Sequence, residues 1–273
     1  MRDDRPIGLF DSGLGGLTVV RALLDLVPGA DVVYFGDTGR FPYGPKPAEE
    51  VLKYSLEIVD LLLEKNVRMV VVACNSAAAV ALDHLREQLD VPVVGVIGPG
   101  LRAAQRATRT GRVGVIATVG TIASGAYQRA GAMLDAHGAD CRLELTCAAC
   151  PGFVEFVEQG DVESDQVHVL AERLLAPVIA ARVDTLVLGC THYPLLARTI
   201  ADVMGPDVVL VSSAEETAFE VRAGLDEPDR GVPAGGRARR VEFMTSGDPV
   251  TFRALGSRFL GPEVEHVEAW SWT

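Results

Sequence analysis

At 273 residues the chain is long enough for one large domain or two of moderate size, and 48% hydrophobic with 23% charged residues is the balance of an ordinary soluble globular protein. A formal net charge of −12 argues against a nucleic-acid-binding surface, which needs a basic patch, and the acidic residues fall mostly between periodic apolar positions, where they solvate a surface. The five cysteines, Cys74, Cys141, Cys147, Cys150 and Cys190, are an odd number in a large chain and fit a reducing cytoplasm better than a disulfide framework.

Met1-Arg2-Asp3-Asp4-Arg5 is charged and no apolar h-region follows, so no secretion signal is expected; nor is any apolar run long enough for a transmembrane helix. Residues 7–10 form a short strand that ends in Asp11-Ser12-Gly13-Leu14-Gly15-Gly16, and residues 17–27 carry helical apolar spacing. This glycine loop fails the dinucleotide fingerprint because Thr18 stands where the third glycine is required. It is instead a set of backbone N–H groups able to hold a small anion such as a carboxylate. Asp11 is either a helix N-cap or a catalytic carboxylate. A second strand and turn span 32–38, followed by a loop over 40–47 too rich in proline and glycine for regular structure. That loop is a rigid turn that can also present the Tyr43 ring and the Gly44 N–H to a ligand. An amphipathic helix over 47–65 then feeds the strand Met69-Val70-Val71-Val72, which runs into Ala73-Cys74-Asn75-Ser76-Ala77. A thiol, an amide and a hydroxyl thus arrive together where a helix over 77–89 opens. A further strand spans 91–97, and Gly98-Pro99-Gly100 punctuates the chain.

There the plan restarts. Residues 112–118 mirror the first strand and end in Thr118-Val119-Gly120-Thr121. Cys147 and Cys150 form a Cys-x-x-Cys pair that suggests zinc or thiol redox chemistry, but without two further ligands at matching spacing it is better read as a strand end running into a helix over 153–159. Glu155 and Glu158 lie on that helix, and the sequence alone assigns neither a role. A core-facing helix covers 166–182. Then Leu186-Val187-Leu188-Gly189-Cys190-Thr191-His192-Tyr193-Pro194 repeats the Cys74 arrangement: an apolar strand, a small residue, then thiol, hydroxyl and imidazole in succession. One strand-end cysteine is ordinarily packing. Two in matched settings, 63 residues after Asp11 and 72 after Thr118, point to a pair. Residues 207–213 form a strand entering a helix capped by Ser213 with Glu216, residues 226–240 a polar surface loop, residues 241–245 a late strand, and Asp248 opens the last helix. The tail beyond Gly261 shows no clear chemistry. The fold class expected is α/β: two similar α/β domains with mainly parallel sheets and an active-site cleft between them.

Taken together and in order, Phe10-Asp11-Ser12-Gly13 with Gly15-Gly16, Pro42-Tyr43-Gly44, Ala73-Cys74-Asn75-Ser76-Ala77 and Gly189-Cys190-Thr191-His192-Tyr193-Pro194 resemble the signature set of the glutamate racemases, over about Ile7 to Leu260. Ser76 departs from the threonine of many members but keeps the hydroxyl. The resemblance implies a cytoplasmic enzyme that interconverts L- and D-glutamate for peptidoglycan synthesis without cofactor or metal. It implies one α/β domain from 1–98 plus 208–273 and another from 99–207. Cys74 and Cys190 would be the two bases, helped by Asp11 and His192, with Glu158 near His192. Substrate contacts would come from Asp11, Ser12, Tyr43, Gly44, Asn75, Ser76, Thr118, Thr121, Thr191 and His192. The partners expected are L-/D-glutamate and a second copy of the chain in a homodimer, with no direct nucleic acid and no membrane; some members are thought to restrain DNA gyrase, which makes gyrase a further candidate.

The residue types suit that chemistry. Racemisation removes the α-proton from one face and returns a proton to the other, which takes two opposed groups, one protonated and one not. Helix N-termini beyond both cysteines would lower their pKa values, and His192 could relay a proton. Pyridoxal phosphate would need a Schiff-base lysine, and none of the three lysines, Lys46, Lys53 and Lys65, stands at a strand end. The competing readings are a two-cysteine racemase of aspartate or another amino acid, and a non-enzymatic amino-acid-binding protein, in which two reactive thiols would be superfluous.

Overall fold

The computed structural model describes residues 3–136, 142–225 and 239–272. The apolar runs become strands: β1 (Ile7–Asp11), β2 (Val32–Gly36), β3 (Met69–Val72), β4 (Val93–Gly95), β5 (Arg112–Ala117), β6 (Glu144–Ala149), β7 (Thr185–Gly189), β8 (Val209–Ser212), β9 (Val241–Thr245) and β10 (Val267–Ala269). The amphipathic stretches become helices: α1 (Leu17–Leu26), α2 (Ala48–Glu64), α3 (Asn75–Gln88), α4 (Ile97–Ala107), α5 (Val119–Ala123), α6 (Ala126–Ala136), α7 (Phe153–Gln159), α8 (Asp165–Ala180), α9 (Ala197–Met204), α10 (Ala214–Gly224) and α11 (Pro249–Phe259). Among the described residues no helix is long and apolar enough to cross a membrane.

The strands form two sheets, in the orders β10-β9-β2-β1-β3-β4 and β6-β5-β7-β8, and these described strands pair in parallel. Parallel strands need helical crossovers, which cover both sheet faces; this is why the sequence shows continuous apolar runs instead of alternation. β1, β2, β3 and β7 are buried at every position. The order β2-β1-β3-β4 is repeated as β6-β5-β7-β8, so β5 stands where β1 stands and β7 where β3 does. Asp11 and Cys74 therefore leave one sheet at the same relative places from which Thr118 and Cys190 leave the other. In such sheets ligands gather at the carboxyl ends of the strands.

Several expectations need correction. Gly98-Pro99-Gly100 is no break: it lies in the first turns of α4, where N–H groups have no intrahelical acceptor and a proline costs nothing. α4 then packs on β7, β8 and α10, tying the halves together. A domain boundary between 207 and 208 would cut off β8, yet β8 pairs with β7 from Thr185↔Val209 to Leu188↔Ser212, so that strand belongs with the second sheet. Ser213 makes no side-chain cap: its backbone is already helical, and Glu216 is drawn to Arg106 instead. α3 begins at Asn75, two residues early, which puts Cys74 at its N-cap position. Most of the loop expected over 226–240 and Cys141 lie outside the described residues. The tail, by contrast, has a definite place, since β10 pairs with β9 and closes one edge of the larger sheet.

A buried tyrosine joins this framework to the glycine loop. Tyr34, on β2 and fully buried, donates its hydroxyl to the Gly13 carbonyl at 2.9 Å. Replacing it by phenylalanine keeps the ring but leaves that carbonyl without its donor. We expect Tyr34→Phe to lose about 1–3 kcal/mol in urea unfolding, with an unchanged m-value; undiminished stability would mean the hydroxyl does not anchor the loop.

Candidate active site

On the first sheet, β1 delivers Asp11 and β3 delivers Cys74. Asp11 caps no helix, since α1 begins at Leu17 behind Gly16 without a side-chain cap. Its carboxylate is wholly buried; Oδ1 accepts the Gly13 N–H at 2.8 Å and Oδ2 accepts the Thr191 hydroxyl at 3.1 Å, which ties the first half to the second. Burial raises the Asp11 pKa, while the His192 charge opposes the rise. The Cys74 thiol donates to Ser12 Oγ at 3.6 Å. Burial, with the Asp11 carboxyl beside it, pushes the Cys74 thiol up to about 12. This reverses the expected lowering by the helix N-terminus, because removing a thiolate from water outweighs the field of α3.

On the second sheet, Cys190 follows β7 directly. A 3-10 turn over Tyr193–Leu196, not an α-helix, comes next, so the expected helix N-terminus beyond this cysteine is absent. His192 is only 2% exposed. Burial works to lower its pKa, but hydrogen bonds to Cys190 and Glu158 prevail and hold it up at about 10. Its Nε2 donates to Glu158 Oε1 at 2.7 Å, the carboxylate coming from α7. Phe41 lies tilted on one side of the imidazole and Phe259 edge-on to it, both with ring centroids 5.7 Å away.

Between the two halves, the first turns of α3 and α5 bring three hydroxyls together: Ser76 lies 3.0 Å from Thr118 and 3.2 Å from Thr121, and those two are 2.9 Å apart. Asn75 is buried with Oδ1 accepting the Tyr127 hydroxyl at 2.8 Å, while its Nδ2 has no partner within the protein. A buried amide donor left open on a cavity wall is suited to an acceptor on a ligand. Two glycines permit close approaches. A Cβ on Gly15 would stand 2.3 Å from Thr191 Oγ1, and one on Gly44 would stand 2.7 Å from Thr118 Cβ.

One cavity is lined by Ser12, Tyr43, Gly44, Cys74, Asn75, Ser76, Thr118, Cys190, Thr191 and His192. Asp11, Thr121 and Glu158 stand behind this wall, joined to it through Thr191, Ser76 and His192. Tyr43 contributes little beyond its backbone and ring, because its hydroxyl donates away from the cavity to Asp37. Phe41, Cys150 and Glu155 also line the cavity, and Tyr127 orients Asn75; the sequence reading singled out none of these for the site. Phe41 could have been noticed as a neighbour of the Pro-Tyr-Gly loop, whereas nothing in the pattern marks Tyr127. Cys147 packs toward the larger core cluster and Cys150 toward the smaller one. Among the described residues, no group of three or more His, Cys, Asp or Glu side chains is placed to hold a metal ion with them.

The Asp/Glu/Hydantoin racemase family model matches residues 14–220. A glutamate racemase of Parafrankia sp. is 52% identical over 268 residues, which cover 96% of this chain and 93% of that protein. Among solved structures, glutamate racemase isoform RacE1 of Bacillus anthracis is 39% identical at a TM-score of 0.88, covering 98% of this chain and 97% of the other. A glutamate racemase of Francisella tularensis, solved in complex with D-glutamate, is 33% identical at a TM-score of 0.87, with 98% of both chains covered.

The His192 pairing has a pH signature. Its pKa of about 10 in the fold stands above the ordinary 6.5, so the folded protein holds this proton more tightly than the unfolded chain. The resulting stabilisation is complete below pH 6.5 and disappears as pH rises through about 10. Thermal unfolding of the wild type and His192→Gln across that window should show a wild-type advantage that narrows with pH; an advantage that widens contradicts the pairing.

Proposed function

Because the chain belongs to the Asp/Glu/Hydantoin racemase family and is an isomerase that interconverts L- and D-glutamate, we propose that Cys74 and Cys190 are the two groups that exchange the α-proton. The observation that carries this reading is that both thiols line one cavity, each leaving an equivalent strand of a repeated half.

The electrostatics support a resting state with one acid and one base. Burial and Asp11 keep Cys74 as a thiol, while Cys190 stands against the His192 imidazolium and is assigned the role of base. In that state Cys190 takes the α-proton of L-glutamate. The C–H electrons remain on Cα and spread into the adjacent carboxylate, and Cys74 gives its own proton to the opposite face. D-glutamate leaves with Cys190 as thiol and Cys74 as thiolate, and proton exchange with solvent resets the pair. Starting from D-glutamate, Cys74 acts as base and Cys190 as acid.

Charge on the carboxylate grows as the proton departs, so donors aimed there stabilise the transition state more than the substrate. Asn75 Nδ2 and the hydroxyls of Ser76 and Thr118 are such donors, with Thr121 holding the hydroxyl pair in place. The reading needs no cofactor. It extends, on the resemblance alone, to D-glutamate supply for peptidoglycan in the cytoplasm, a homodimer and the gyrase interaction. It also takes the division into two α/β units as the basis of the cleft, with β8 counted in the second.

Cys74→Ala and Cys190→Ala should each lower racemisation in both directions by at least about 10²-fold, followed by circular dichroism. Wild-type-like turnover of either variant removes the two-base reading. The isotope pattern is a separate check. In deuterated water, turnover from L-glutamate should place deuterium in D-glutamate first, leaving the remaining L-glutamate protiated at early times. Comparable early deuterium in both enantiomers means that one base serves both faces.

A further inference from the structure

The residues after β10 turn back onto the loop that forms one wall of the cavity. Trp270 N–H donates to the Thr245 carbonyl at 2.7 Å, continuing the pairing of β10 with β9. Trp272 then lies edge-on to Phe35 of β2, with ring centroids 5.4 Å apart. Its indole covers the Arg40 guanidinium at 3.9 Å, and the Tyr54 ring also lies against the guanidinium, at 4.1 Å. Its N–H donates to Asp37 Oδ1 at 3.1 Å.

Asp37 is wholly buried, and a buried carboxylate is tolerable only when its lone pairs are filled. Oδ1 accepts from Trp272 and from Ser246 Oγ at 2.6 Å; Oδ2 accepts from Arg40 Nε at 2.8 Å and from the Tyr43 hydroxyl. Arg40 is held from its far side by Glu57. Tyr43 carries the next residue, Gly44, across to the second half, where the Gly44 carbonyl accepts the Gly120 N–H at 2.9 Å beside Thr118. A single chain of contacts therefore runs from Trp272 through Asp37 and Arg40 to Tyr43, and from Gly44 to the first turn of α5.

We infer that Trp272 is a positioning residue for the substrate cavity: by filling one lone pair of Asp37 and covering one face of Arg40, it holds the Tyr43-Gly44 wall against Thr118. This rests on the cavity being the glutamate site proposed above. The indole is outside the set of residues that line the cavity, and β3 and β7 hold the two thiols without it. Loosening this clamp should therefore weaken substrate binding and leave the proton-transfer step almost intact.

The test compares wild type, Trp272→Ala and Trp272→Phe as full chains, with racemisation kinetics and amide hydrogen exchange read together. Loss of one cation–π face and one hydrogen bond should raise KM for glutamate by about five- to tenfold in Trp272→Ala, with kcat within about twofold. The amides of residues 39–46 should exchange faster by a similar factor, while those of α8 keep their wild-type rates. Trp272→Phe keeps a ring over Arg40 but has no N–H, so its KM should rise by only about two- to threefold. Wild-type KM and loop exchange in the alanine variant overturn the inference, and if that variant fails to fold, the same result in Trp272→Phe overturns it. A fall in kcat and thermal stability with KM unchanged also overturns it, since that is what a mere structural strut would give. An inactive wild-type protein would instead sink the proposed function, while the loop exchange still reports on the clamp.

Discussion

Nearly every ionisable group at the cavity has lost its water, and that loss decides which of them carries charge. Asp11 is fully buried and survives beside Cys74 only because a backbone N–H and the Thr191 hydroxyl donate to its two oxygens. His192 is almost as buried, yet it keeps its proton because Glu158 and Cys190 stand against it. In water these groups would differ little from their ordinary behaviour. With water excluded, a neighbouring charge is felt far more strongly. Cys74 faces a carboxyl, and Cys190 faces an imidazolium.

Such an arrangement needs walls that come closer than side chains normally allow. The loop after β1 approaches Thr191 and His192 across Gly15, and the loop after β2 approaches Thr118 across Gly44. In both places the space that a Cβ would fill is already occupied by a cavity-lining side chain of the other half. The glycines therefore serve contact between the halves as much as local turns.

The support behind the site is layered outward from there. Phe41 and Phe259 fix the plane of the imidazole, Tyr127 fixes the Asn75 amide, and Asp37 gathers the donors that fix Tyr43. These partners come from three separate parts of the chain: α6, α11 and the loop after β2. Spreading the support in this way holds each functional atom from a direction that its own strand cannot.

What the sequence determined by itself follows from local rules. Apolar runs such as 69–72 and 186–188 had to become buried parallel strands, because a sheet covered on both faces accommodates them. The two cysteine loops were legible because thiol, hydroxyl, amide and imidazole are seldom grouped just where a strand ends. The restart at Arg112 was legible because the same local plan recurs, and the strand orders repeat accordingly. Tertiary structure alone decided the rest. Which sheet β8 joins depends on pairing with β7, and no residue of 209–212 encodes its partner. The direction of the Cys74 shift depends on burial and on Asp11, 63 residues away in sequence, so the helix N-terminus visible beside it was the smaller effect. The tail had no readable chemistry because Trp272 acts through Asp37, 235 positions earlier, and a hydrogen bond over that separation leaves no periodicity in the sequence.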